Sequence, residues 1–167
     1  MKTIVLTGMM GSGKTTAAKL LAQKLNLESI DIDALIEQKE KLTISEIFKQ
    51  KSEKYFRKLE QQTILAVTKP EKQVISLGGG AFEDPKTRKF LLKNTTVIFL
   101  EASAETIYER IKNNTSRPLL CDNITKEKIS EILEKRKLNY NSAHLKIITD
   151  NKTPNTVIKE ITGAIKI

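Results

Sequence analysis

The sequence has 167 residues, 39% of them hydrophobic, with a single cysteine and a net charge of +9 from 29 Lys+Arg against 20 Asp+Glu. That length suits one core-forming domain, the lone Cys121 excludes a disulfide framework and thiolate metal clusters, and no apolar run reaches the roughly 20 residues of a membrane span. The positive excess favours anionic ligands, nucleic acid among them, but 5% aromatic residues leave no stacking platform for bases, so most of the excess reads as solvated helix surface.

The first structured stretch is a buried strand, Ile4-Val5-Leu6, running into Gly8-Met9-Met10-Gly11-Ser12-Gly13-Lys14-Thr15-Thr16. This fits G-x-x-x-x-G-K-[ST], the loop that wraps nucleoside phosphates, and the amphipathic run 17–25 supplies the helix that must follow it. Its glycines let the backbone bring N–H groups round an anion, and the helix N-terminus adds orphan donors and partial positive charge. Lys14 is expected to reach the β- and γ-phosphates and to face ligand rather than core. The Thr15 hydroxyl suits Mg²⁺, which takes hard oxygen ligands. The N-terminal apolar run is too short for a secretory signal, and a cytoplasmic setting is expected.

Residues 29–32 read as a second short strand that ends in Asp31-Ile32-Asp33. Alternation puts both aspartates on one side of an extended segment. Two readings stay open here. The carboxylates serve Mg²⁺ and a substrate hydroxyl, or Asp33 is only the N-cap of a helix over 34–40. Thr43-Ile44-Ser45-Glu46 is a capping box opening a short helix through Lys51. Ser52 caps a longer helix over 53–68, with Phe56, Leu59, Thr63, Ile64 and Val67 as its buried stripe. Arg57 lies beside that stripe, with Glu53 four residues before it and Glu60 three after. It is either a ligand-binding cation or a surface ion pair.

Residues 73–77 form a third strand, followed at once by Gly78-Gly79-Gly80. Three successive glycines at a strand's carboxyl end imply close approach to the backbone, at the edge where parallel α/β sheets bind ligands. Asp84-Pro85 starts a helix to about Lys93. A fourth strand covers 95–100, and Ser103 caps a helix to about Lys112 that carries Arg110. Residues 113–123 are polar, proline-broken and without period. They read as a mobile lid with Arg117 reaching the phosphates, or as a plain surface loop. Thr125 caps a helix over 126–143 carrying Arg136 and Tyr140, and His144 is expected to interact with that helix's C-terminus. A last strand covers 145–149, and Thr153-Pro154 opens the final helix. Strands alternating with helices argue for a parallel sheet covered on both faces, one domain over 1–167.

In order and spacing these stretches resemble shikimate kinase. They are Gly8 to Thr16, Asp31-Ile32-Asp33, Ile44-Ser45-Glu46-Ile47-Phe48, Phe56-Arg57 with Leu59-Glu60, Gly78-Gly79-Gly80-Ala81, Arg117-Pro118-Leu119-Leu120, and Arg136 with Tyr140. The resemblance implies an α/β P-loop NTPase fold of the nucleoside-monophosphate-kinase type. That fold has three layers, α/β/α, around a five-stranded parallel sheet, with a lid about 112–124 and a substrate-binding segment about 31–60. It implies transfer of the ATP γ-phosphoryl group to the 3-hydroxyl of shikimate, in the route to chorismate and aromatic amino acids.

By the same resemblance Gly11, Ser12, Gly13, Lys14, Thr15 and Thr16 hold the ATP phosphates, Thr15 ligates Mg²⁺, and Asp31 reaches the metal through water. Asp33 holds the shikimate hydroxyls and accepts a proton. Arg57 and Arg136 grip the carboxylate, and Gly79 and Gly80 close on the ring. Arg117 descends onto the phosphates and shares the catalytic role with Lys14 and Asp33, while Arg110 and Pro154 sandwich adenine. The implied partners are shikimate and ATP, with no nucleic acid or membrane, for a monomer.

The chain departs from the family pattern in three places. Ser52 stands where Gly is usual, Leu138-Asn139 where Pro-Leu is usual, and Ser76 where a Walker B acid would be. The last leaves Mg²⁺ to Thr15, phosphates, waters and Asp31. The competing readings are a gluconate or nucleoside-monophosphate kinase on the same scaffold, and a non-enzymatic nucleotide- or RNA-binding module.

Overall fold

A computed structural model describes residues 2–69, 72–112 and 124–165. In chain order its elements are β1 (Ile4–Thr7), α1 (Lys14–Leu25), β2 (Glu28–Asp31), α2 (Ile32–Glu40), α3 (Ile44–Lys51) and α4 (Glu53–Val67). Then follow β3 (Gln73–Ser76), a 3₁₀ turn (Ala81–Glu83), α5 (Pro85–Asn94), β4 (Thr96–Glu101), α6 (Ala104–Ile111), α7 (Lys126–Tyr140), β5 (Leu145–Ile148) and α8 (Pro154–Ala164). The five strands pair in parallel in the order β2-β3-β1-β4-β5.

This order explains the strand compositions. Inner strands of a parallel sheet are covered on both faces and read as continuous apolar runs. β1 is buried at every position, whereas the outer strands β2 and β5 are partly exposed. Alternation along β1 divides the core. Val5 faces a cluster with Ile32, Ile36, Phe56, Ile75 and Val97, and Ile4 and Leu6 face another with Ala18, Leu21, Ile98 and Ile158. A third cluster, Met9 with Ile107, Ile111 and Ile129, ties the phosphate loop to α6 and α7.

Local sequence sets the helix starts. At the heads of α2 to α8, Asp31, Thr43, Ser52, Asp84, Ser103, Thr125 and Thr153 each accept a hydrogen bond from a first-turn backbone N–H through a side-chain oxygen. Thr43 and Glu46 complete the expected capping box. α1 differs. Its N-cap is Gly13, with no side-chain cap and no acidic residue in the first turn.

Several boundaries differ from the sequence reading. The helix after β2 begins at Ile32, not at 34, so Asp31 is the N-cap and Asp33 lies in the first turn, where a carboxylate suits the helix dipole. The expected extended segment therefore stops at Asp31. α4 keeps its stripe, though Val67 is only half-buried. The helix expected over 126–143 stops at Tyr140. Ala143 N then donates to Tyr140 O in the turn that leads into β5. His144 consequently serves the sheet, not a helix end: its N–H donates to Val97 O and its Nδ1 accepts from Val97 N at 3.0 Å. The lid expected over about 112–124, with Arg117 and Cys121, lies outside the described residues except at its two ends.

Candidate active site

The carboxyl ends of β1, β2 and β3 are neighbours in the sheet, so three loops that are distant in sequence meet at one edge. After β1 the chain turns through Gly8 (φ 146°), Gly11 (φ 74°) and Gly13 (φ 93°), conformations open to glycine at little cost. Gly8 is also closed in by packing: a Cβ there would sit 2.5 Å from Leu100 O. The first α-helical bond runs from Ala17 N to Gly13 O at 2.9 Å, so the first-turn N–H groups of α1 have no intrahelical acceptor. The buried Ser12 Oγ has no partner among the described residues. An uncapped helix head with orphan donors and open space before Gly13 fits an anionic phosphate chain.

Lys14, expected to face a ligand, is bonded to its own loop. It is 7% exposed, and its Nζ donates to Gly8 O and Met9 O, each at 2.9 Å. The ammonium is thereby parked across the mouth of its own loop. Thr15 Oγ1 donates to Asp31 Oδ2 at 2.7 Å, while Asp31 Oδ1 accepts from Ala34 N. This joins α1 to the end of β2 and sets two hard oxygens side by side, a donor set suited to Mg²⁺. No cluster of three or more candidate metal ligands occurs among the described residues, so an ion here would depend on phosphate and water oxygens.

Beside the loop lies a cavity of about 430 Å³ whose walls include Thr15, Asp31, Asp33, Arg57, the three glycines and Arg136. Both aspartates thus reach one cavity. Their register there comes from the strand end and the first turn of α2 rather than from strand alternation. Arg57 is held from three sides. Its NH1 donates to Glu60 Oε2 at 2.8 Å, its Nε and NH2 donate to Glu53 Oε1, and its Cζ lies 5.2 Å from the Phe56 ring centroid. Arg57 thus pairs with both glutamates, one exposed and one buried, and also stands in the cavity wall. Gly80 makes room for it, since a Cβ there would lie 2.8 Å from both terminal guanidinium nitrogens. Arg136 crosses from α7 and donates through NH1 to Gly79 O at 2.7 Å.

Arg110 and Pro154 also come together, along a smaller cavity of about 300 Å³ that continues from Ser12, Gly13 and Thr16. Arg110 is fixed there by donating to Gly11 O, Thr149 Oγ1 and Thr149 O. Arg117 lies outside the described residues.

The family model for shikimate kinase matches residues 10–166.

The chain belongs to the shikimate kinase family.

It is 45% identical over 166 residues to a shikimate kinase of Sulfurihydrogenibium sp. (strain YO3AOP1), covering 99% of each chain. It is also similar to a structure of shikimate kinase from Acinetobacter baumannii in complex with shikimate, at 30% identity and a TM-score of 0.91, covering 99% of this chain and 96% of that one. A gluconokinase from Sinorhizobium meliloti shares the fold alone, at 15% identity and a TM-score of 0.60 over 95% of this chain and 88% of that one.

Two residues in this site had no role of their own in the sequence reading. Glu60 was weighed only as a holder of Arg57. It is 2% exposed, and a Cβ on Gly78 would lie 2.4 Å from its Oε1 and 2.6 Å from Asp33 Oδ1, so the two carboxylates face each other across that glycine. Burial pushes Glu60 up to about 7, and Asp33 adds to the rise, against the opposing pull of Arg57 and Arg136. Its position among Phe56, Leu59 and Thr63 on the buried stripe was the available signal. Ser45, nearly buried in the cavity wall, keeps an Oγ with no partner among the described residues. Nothing in its local pattern separates it from the rest of a capping box.

Proposed function

We propose that the chain transfers the γ-phosphoryl group of ATP to the 3-hydroxyl of shikimate, with the two cavities dividing the substrates. The observation that carries this reading is the convergence of Asp33, Arg57 and Arg136 on one cavity beside the phosphate loop. A guanidinium fork matches a carboxylate bidentately, and two of them in one cavity select an anionic acceptor. The aspartate supplies an acceptor for hydroxyl groups in the same cavity.

Phosphoryl transfer needs alignment and charge neutralisation more than covalent help from the protein. In this reading the first-turn N–H groups of α1 and the Ser12 hydroxyl take the phosphates, and Lys14 exchanges its two carbonyl acceptors for phosphate oxygens. Arg110 and Pro154 flank the base along the smaller cavity. Asp33 orients the attacking hydroxyl and accepts its proton, and Gly79 and Gly80 bring backbone to the ring. Arg117, outside the described residues, is assigned to the phosphates. Thr15 would ligate Mg²⁺ and Asp31 would reach it through water, and the ion would supply charge neutralisation at the phosphates. We read 1–167 as one domain and the enzyme as a cytoplasmic monomer.

The test is ADP release with Mg·ATP and a panel of acceptors. Shikimate should be turned over far faster than gluconate or nucleoside monophosphates. Background rates with shikimate beside good turnover of gluconate, which is also an anionic polyol, would overturn the reading.

A further inference from the structure

The Gly79 carbonyl accepts two hydrogen bonds, both from α7: Arg136 NH1 at 2.7 Å and Tyr140 OH at 2.8 Å. Tyr140 lies outside the acceptor cavity. It is 1% exposed, and its ring stacks on Phe99 at 4.8 Å with an interplanar angle of 13°. Burial raises its phenol above the ordinary value, so the hydroxyl remains a proton donor through neutral pH. The carbonyl is therefore held toward the protein interior.

In a planar trans peptide the C=O of one residue and the N–H of the next point in opposite directions. Fixing Gly79 C=O against α7 turns Gly80 N–H away from α7, and Gly80 lines both the acceptor cavity and a neighbouring one of about 440 Å³. That N–H has no acceptor among the described residues. A peptide between two glycines rotates more freely than any other, so its orientation needs an external hold. Arg136 cannot provide all of that hold if its guanidinium also serves substrate. A second tie lies next to Tyr140: Asn139 Nδ2 donates to Glu83 Oε2 at 2.8 Å, which fastens α7 to the turn beyond the glycines.

We propose that Tyr140 is a positioning residue for the acceptor site, its hydroxyl locking the Gly79–Gly80 peptide so that Gly80 N–H faces the bound acceptor. Arg136 is thereby left with its remaining donors for the acceptor's carboxylate. This inference rests on the shikimate reading above.

The test is Tyr140→Phe, which keeps the ring stacking and removes one donor. KM for shikimate should rise about tenfold, the scale of one lost hydrogen bond with its attendant peptide disorder. KM for ATP and Tm should stay near the values of the unaltered chain. Substituting p-aminophenylalanine for Tyr140 restores a donor and should return KM toward the original. An active Tyr140→Phe enzyme with unchanged KM for shikimate sinks the inference alone. So does a parallel rise in both KM values with a fall in Tm, which would mark a purely structural residue. Absence of shikimate turnover by the unaltered chain sinks the inference together with the functional reading.

Discussion

Glu60 sets a pH dependence that can be worked out from the structure. Its side chain is 3% exposed, Oε2 is paired with Arg57 NH1 at 2.8 Å, and Oε1 is buried with no hydrogen-bond partner among the described residues. Its pKa rises from 4.5 to about 7, burial being the largest cause. Between those two values the folded chain holds a proton that the unfolded chain has released. Stability therefore falls as pH rises through this window. Each pH unit costs about 1.4 kcal/mol, so the folded state should lose on the order of 3 kcal/mol between pH 4.5 and 7 on this account. That is a sizeable share of the roughly 5–15 kcal/mol typical of a domain. Glu60→Gln keeps the shape and removes the titration. Urea denaturation of both proteins from pH 5 to 8 is the assay. The Gln variant should lose less stability with rising pH and should be the more stable of the two at pH 8, although its hydrogen bond to Arg57 is weaker. Parallel profiles, with the difference between the two proteins constant within about 0.5 kcal/mol, would refute the reasoning.

Three further outcomes follow from particular contacts. Lys14→Ala should lower kcat by at least about 100-fold, the scale of one lost charge-stabilising donor, and should also lower Tm, because two buried carbonyls lose their shared donor; wild-type turnover would remove Lys14 from the reaction. Gly80→Ala places a methyl 2.8 Å from the Arg57 guanidinium, whose flexible end must move, so KM for shikimate should rise while ATP binding by calorimetry persists; equal losses for both substrates would contradict this. Ser52 sits at φ 95°, ψ 157°, a conformation that strains any residue but glycine by roughly 1–3 kcal/mol, while its cap to Tyr55 N is worth only a few tenths over glycine. Ser52→Gly should therefore raise Tm by a few degrees, and an unchanged or lower Tm in calorimetry counts against the strain.

The strain at Ser52 gives a physical reason for the glycine that the resemblance leads one to expect there. A second departure, Leu138-Asn139, resolves differently. Leu138 is 86% exposed, and Asn139 bonds Glu83, so α7 still delivers Arg136 to the cavity wall.

Sequence by itself determined whatever depends on local chemistry. The phosphate loop, the capping residues of α2 to α8 apart from Asp31, and the alternation of strands with helices all follow from neighbouring residues, because turn geometry, capping and periodicity act over a few positions. The five strands were legible one by one from their composition, and the parallel fold followed from their alternation with helices. Asp31 shows the limit. Both aspartates were legible as candidates, but local pattern could not tell cap from strand. The answer came from where β2 ends, which pairing with β3 decides.

Tertiary structure alone decided which charges are buried and what they face. Lys14, Glu60 and Tyr140 read as a ligand-facing cation, an acid placed to hold Arg57 and a residue of the helix that carries Arg136. Each is buried because loops from β1 and β3 and helices α4 and α7 pack together at one sheet edge, bringing Gly8, Gly78 and Gly79 against residues far away in the chain. Burial and long-range partners are sums over the whole fold, and no window of a few residues contains them.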